Sequence, residues 1–170
     1  MKQFIMTMGA PGSGKTTWAR QYVDEAHRKY GVKLAYISRD EIRFELLKED
    51  EGYFTHEDEV LKRFFDEIEY ADMDSFDEYD GIVVDATHLN PQSRHKVLSR
   101  INSENYVKIA AVFKPSVETC LEQNHLREGR ARVPDQVLVS MYNGFIPPKK
   151  EEGFDFIWTK GEKEWKGVIE

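Results

Sequence analysis

Apolar and polar positions along the 170-residue chain fall into two rhythms that take turns. The short, nearly unbroken apolar runs "KQFIMTM", "VKLAYIS", "DGIVVDA" and "YVKIAAVF" read as buried strands, since a strand with one wet face would alternate. Between them lie segments with helical spacing. "KTTWARQYVDEAHRKY" puts Trp18, Ala19, Tyr22, Val23 and Ala26 on one stripe and stops near Gly31, and "EIRFELLKE" follows with Asp40 placed as its cap. "THEDEVLKRFFDEIEYA" opens on a Thr cap with acids in its first turn, and "NPQSRHKVLSRIN" carries Pro in its first turn. "SVETCLEQNHLRE" and "PDQVLVSMYNGF" complete the helices, and a last strand lies around "FDFIWTK". This alternation predicts an α/β fold, a parallel sheet of about five strands flanked by helices, with ligands at the carboxyl ends of the strands. No repeat, low-complexity stretch or long linker interrupts it, so residues 1–170 are expected to form one domain.

Composition narrows the class. With 40% hydrophobic and 32% charged residues the chain reads as globular, and no apolar run approaches the ~20 residues a membrane span needs. The start "MKQFIMTMGAPG" lacks a signal-peptide cleavage pattern, and the single Cys120 cannot form an internal disulfide, so a cytoplasmic location is expected. The 24 Lys and Arg against 31 Asp and Glu leave a net charge of −7, which argues against non-specific coating of nucleic acid. The charge is segregated. Acids concentrate between Glu45 and Asp80, densest in "DEIEYADMDSFDEYD" and read as a solvated surface, whereas "RDEIR" and "REGRARVP" are rich in arginine.

The candidate chemistry begins at "GAPGSGKTT". Gly9, Gly14, Lys15 and Thr16 satisfy G-x-x-x-x-G-K-[ST] between a predicted strand and a predicted helix. The segment Gly9, Ala10, Pro11, Gly12, Ser13, Gly14, Lys15, Thr16, Thr17 is therefore expected to bind ATP. Its backbone amides would curl around phosphate oxygens, Lys15 would reach the β- and γ-phosphates, and Thr16 would offer its hydroxyl to Mg²⁺. Thr17 is either a further phosphate donor or an ordinary residue of the first helical turn. Asp85 ends an apolar strand and emerges at the same sheet edge, where it can order Mg²⁺ or its water ligands, or merely cap a turn. Asp40 either takes the proton of an attacking hydroxyl or caps a helix; Arg43 either holds an anionic acceptor or lies on the surface. Arg127, Arg130 and Arg132 crowd into six residues, a lid of about 127–134 closing on triphosphate or a solvated basic loop. The five histidines share no metal-ligand spacing. The aromatics read mostly as core, and Tyr36, Phe64 and Phe65 are set aside as base-stacking candidates for that reason.

"MGAPGSGKTTWARQY", "SRDEIR", "DATHLNPQSR" and "RARVPDQVLVSMY", in this order, resemble the bacteriophage polynucleotide 5′-kinase family, over residues 2 to about 146. The resemblance implies a P-loop kinase fold that uses ATP and Mg²⁺ to phosphorylate 5′-hydroxyl ends of DNA or RNA, in nucleic-acid end repair. By matching positions it implies that Lys15 and Thr16 bind ATP and metal, that Asp40 is the general base, that Arg43 contacts the acceptor's phosphate and that Asp85 supports the site. It leaves Arg127 and Arg130 both candidates for the catalytic arginine, with Arg132 on ATP. If the chain is phage-encoded, its location is the host cytoplasm. The family's bifunctional members continue into a phosphatase domain bearing D-x-D-G-T, which this sequence lacks, so kinase activity alone is expected. The rival readings are a P-loop kinase of a small molecule or nucleotide sugar, zeta-toxin-like, and a nucleotide-dependent binding module.

Overall fold

The computed structural model describes residues 1–73, 77–160 and 165–167, so residues 74–76 of the acidic run lie outside the described part. Five strands run parallel in the order β2-β3-β1-β4-β5: β1 (Lys2–Met8), β2 (Leu34–Ser38), β3 (Gly81–Asp85), β4 (Tyr106–Phe113) and β5 (Phe156–Lys160). The expected parallel sheet is thus present, and a short sixth strand, β6 (Trp165–Gly167), adds to its edge antiparallel to β5. The helices are α1 (Lys15–Tyr30), α2 (Arg39–Leu46), α3 (Glu57–Met73), α4 (Pro91–Leu98), α5 (Val117–His125) and α6 (Asp135–Asn143). None of the described helices is long and apolar enough to cross a membrane.

The unbroken apolar runs are explained by burial on both faces. Alternate residues of β1 serve two cores: Phe4, Met6 and Met8 pack with Val60, Phe64 and Ile68 of α3 and Val97 of α4, while Ile5 packs under α1 with Ala19, Leu34 and Val83. A third cluster, Ala10, Cys120, Val133 and Leu138, fastens the loop after β1 to α5 and α6. β1 is central, so the loop leaving it opens in the middle of the carboxyl edge. The register sets Ser38 opposite Asp85 on β3, which brings the ends of β2 and β3 to the same level beside it.

Two caps differ from the sequence reading. Ser38, not Asp40, caps α2, its hydroxyl accepting from the Glu41 amide at 3.2 Å. Asp40 lies inside the first turn, and its carboxylate turns sideways toward other partners. At α3 the Thr55 hydroxyl donates back to the Gly52 carbonyl at 2.8 Å, closing a turn ahead of the helix, which starts at Glu57. The other starts follow the expected chemistry: Asn90 accepts from Ser93 N ahead of Pro91, and Ser116 caps α5.

Candidate active site

The loop between β1 and α1 is a backbone cradle that side chains would fill. A Cβ on Gly9 (φ +145°) would stand 2.3 Å from the Phe113 carbonyl oxygen, and one on Gly12 (φ +77°) 2.3 Å from that of Cys120. Gly14, at the N-cap of α1 with φ +91°, is left-handed with open space beside it. The helix that follows directs its first amides into the cradle, the arrangement that favours an anion. Lys15 is only 7% exposed, and its ammonium donates to the Ala10 carbonyl at 2.9 Å and to Ser13 Oγ at 3.5 Å. Burial holds its pKa below the usual lysine value, against the pull of Asp85 and Asp40.

Asp85, 3% exposed, is a hydrogen-bond node beside the cradle. Thr7 donates to its Oδ1 at 2.8 Å, while Thr16 at 2.8 Å and Tyr36 at 2.6 Å donate to Oδ2. Three hydroxyls thus aim a buried carboxylate. Tyr36, read as core, is half-buried with its hydroxyl on Asp85; burial first, and then that carboxylate, push its phenol pKa up. Period 2 carried the clue, because Thr7, Tyr36 and Asp85 lie on strand positions facing α1.

Across the pocket stands Asp40, its Oδ1 accepting from Tyr53 Oη at 2.6 Å and from Arg43, which is itself 2% exposed. Arg43 also donates to Tyr53 Oη at 2.7 Å and, through its other terminal nitrogen, to both oxygens of Glu57 at 3.0 and 2.8 Å. Its Nε–H is buried without a partner among the described residues. Arg39 also reaches Glu57, at 3.1 Å. Tyr53 and Glu57 went unnoticed in the sequence because no motif carries them; both arrive from the segment after α2.

Of the predicted residues, one pocket gathers Pro11, Lys15, Thr16, Asp40, Arg43, Asp85 and Arg127 in its lining, together with Arg39, Tyr53, Phe54 and Val133. Arg130 instead donates to the Lys48 carbonyl outside that lining, and Arg132 is exposed. Among the described residues no three of His, Cys, Asp and Glu cluster as a metal cage. Thr16 and Asp85 nevertheless form the donor pair of one hydroxyl and one carboxylate that suits a hard cation whose other ligands are water and phosphate oxygens.

The profile of the AAA_33 family, described as an AAA domain, matches residues 4–148. A putative bifunctional polynucleotide kinase/RNA ligase of Autographa californica nuclear polyhedrosis virus is 24% identical over 99% of the chain, which spans only 24% of that relative's length. Among solved structures, Chaetomium thermophilum Kti12 in complex with ADP-AlF3 superposes with a TM-score of 0.64 at 16% identity, covering 94% of this chain and 89% of that one. A sugar kinase from Janibacter sp. HTCC2649 gives 0.65 at 17%, covering 95% and 86%. A chain of the Pnkp1/Rnl/Hen1 RNA repair complex gives 0.64 at 18%, covering 84% and 43%. The fold is shared with P-loop kinases, and the family match, which spans the cradle, Asp40 and Asp85, establishes that the chain belongs to the AAA_33 family of AAA domains.

Proposed function

We propose that the protein is an ATP-dependent polynucleotide 5′-hydroxyl kinase acting in nucleic-acid end repair. The observation that carries the reading is the placing of an aimed carboxylate, Asp40, in the same pocket as the phosphate cradle and Lys15. A motor or switch needs the cradle; a phosphotransferase also needs a proton acceptor across from it. In the reaction the 5′-oxygen attacks the γ-phosphorus, the new O–P bond forms as the bond to the β,γ-bridging oxygen breaks, and the hydroxyl proton passes to the Asp40 carboxylate while ADP leaves. Gly9 to Thr17 hold the triphosphate. Lys15 trades its contacts with Ala10 and Ser13 for the β- and γ-oxygens as charge grows there. Thr16 and Asp85 would hold Mg²⁺, whose chemistry is to neutralise and orient those phosphates.

The lid supplies Arg127 as the arginine nearest the reacting group, since it alone of the three lines the pocket; Arg130 and Arg132 approach if the lid closes further. Arg43, 2% exposed and bonded to Asp40, Tyr53 and Glu57, would meet the acceptor's phosphate by trading one of those partners. A polynucleotide acceptor is supported by Lys15 and Arg127 in the lining, beside Arg39 and Arg43, which Glu57 and Asp40 already pair, by the four sequence blocks, and by the viral relative. The test is incubation with γ-labelled ATP and Mg²⁺ and, separately, 5′-hydroxyl DNA, 5′-hydroxyl RNA and a metabolite panel. Label is expected on the oligonucleotide and lost with Asp40→Asn. Label on a sugar or other small molecule alone would replace this reading with the small-molecule kinase.

A further inference from the structure

Beside the acceptor end of the pocket, two large apolar side chains stand in the open. Phe54 is 47% and Phe44 36% exposed, and neither joins any of the three apolar clusters. They are not scattered surface residues. Both meet the edge or face of one ring, Tyr53: Phe54 at 4.7 Å between centroids with an interplanar angle of 81°, Phe44 at 6.2 Å and 69°. That same Tyr53 donates to Asp40, and the Arg43 guanidinium lies 4.2 Å from its ring centroid and 5.9 Å from that of Phe54. The aromatic group is therefore continuous with the proton acceptor, and Phe54 lines the pocket itself. Opposite it, the lid reaches over: Arg130 donates to the carbonyl of Lys48, in the same 47–56 segment that carries Tyr53 and Phe54.

We propose that Phe54, backed by Phe44 and Tyr53, is a stacking platform for a nucleobase at the 5′ end of the acceptor; the inference rests on the polynucleotide kinase reading and names how its site holds the substrate. The occupant follows from three features. An exposed ring held edge-on by its neighbours offers a flat π-face, which suits another flat ring better than a flexible apolar chain. A base attached to a 5′-hydroxyl within reach of Asp40 must lie a few ångströms from that carboxylate, where Phe54 stands. The face discriminates little among the four bases, since every base has a π-face, so the platform serves any sequence.

The experiment compares two 5′-hydroxyl oligonucleotides identical except that the two 5′-most nucleotides of one are abasic. The wild-type protein is expected to favour the intact acceptor by about tenfold in kcat/KM, the effect of one lost base stack. In Phe54→Ala, and more fully in Phe44→Ala/Phe54→Ala, the intact acceptor falls to the level of the abasic one, while Phe54→Trp retains the preference. The abasic acceptor reports any general damage to catalysis, because damage slows both substrates alike whereas loss of stacking removes only their difference. Equal use of both acceptors by the wild type, or a preference that survives the double substitution, overturns the platform and leaves the kinase reading standing. Failure to phosphorylate either oligonucleotide overturns the kinase reading, and the platform with it.

Discussion

On the proposed reading, Asp40 does not act from an isolated side chain. Its Oδ1 receives the Tyr53 hydroxyl and the Arg43 guanidinium, and Arg43 in turn is fixed by both oxygens of Glu57. This chain of charge-assisted bonds fixes the direction of the carboxylate at little further entropic cost when substrate binds. Tyr53→Phe removes the hydroxyl and keeps the ring, so it is expected to lower kcat on the order of tenfold, one lost bond to a charged group, with acceptor KM little changed. Asp40→Asn should lower kcat far more. A Tyr53→Phe enzyme with wild-type kcat would show that Asp40 needs no such guide. The cluster also marks where the sequence stops being readable. Lys15 and Thr16 announce themselves because the cradle's parts are adjacent in the chain, but Tyr53 comes 13, Tyr36 49 and Thr7 78 residues away from the carboxylates they serve. Only the register of the sheet and the return of the chain after α2 bring them in.

At the scale of elements, the alternation of apolar runs and helical stripes is enough to place β1 to β5 and α1 to α6, since each run must bury two faces and each stripe one. What the pattern misassigned were caps, because Ser38 and Asp40 both satisfy the capping preference and only the backbone path selects Ser38. The cradle itself is held by packing against α5. With a Cβ 2.3 Å from the Cys120 carbonyl and φ at +77°, Gly12→Ala must either displace α5 or flatten the loop. The backbone strain alone is worth about 1–3 kcal/mol. Thermal unfolding should show this loss together with a sharp drop in ATP affinity, and an unchanged melting temperature would mean that the loop yields freely.

The turn after β3 carries a second element-scale device. His88 sits at φ +41°, buried, its Nδ1–H donating to the Thr7 carbonyl at 2.6 Å, while its own carbonyl accepts from Arg94 at 3.0 Å. Arg94, wholly buried, also spans to the Ile146 carbonyl and to Glu152, and so ties this turn to the segment before β5. Burial pushes the His88 pKa down to about 3, only partly opposed by the bond to Thr7, against an ordinary value of 6.5. Between those values the unfolded chain binds a proton that the folded chain refuses, so stability present above pH 6.5 falls as the pH drops toward 3, by on the order of 2 kcal/mol at pH 5. His88→Asn, which tolerates the left-handed backbone and does not titrate, should unfold with a shallower pH dependence from 7 to 5. An identical slope in both proteins would assign the acid sensitivity to other groups.

Over the whole molecule, charge is the property the sequence described in kind but could not place. The net −7 predicts repulsion of a polyanion, yet the pocket lining sets Lys15, Arg39, Arg43 and Arg127 against only Asp40 and Asp85. Glu57, the first residue of α3, pairs with Arg43 and Arg39 beside that lining, while Asp66 and Glu67 of α3 and Glu45 of α2 form surface pairs with Lys62 and Arg63. On the polynucleotide kinase reading, an acceptor would be attracted at its end and repelled along its length. With about two or three phosphates contacted, and single-strand slopes near −0.7 per contact, acceptor binding should weaken with salt along a log–log slope of about −1.5 to −2. A slope near zero would favour an uncharged small-molecule acceptor. The same segregation bears on substrate length: the acids concentrated between Glu45 and Asp80 oppose a long polyanion, so on this reading a short 5′-hydroxyl oligonucleotide should be phosphorylated about as efficiently as a long one. Efficiency that kept rising steeply with acceptor length would require an extended cationic groove and would overturn recognition confined to the acceptor's end.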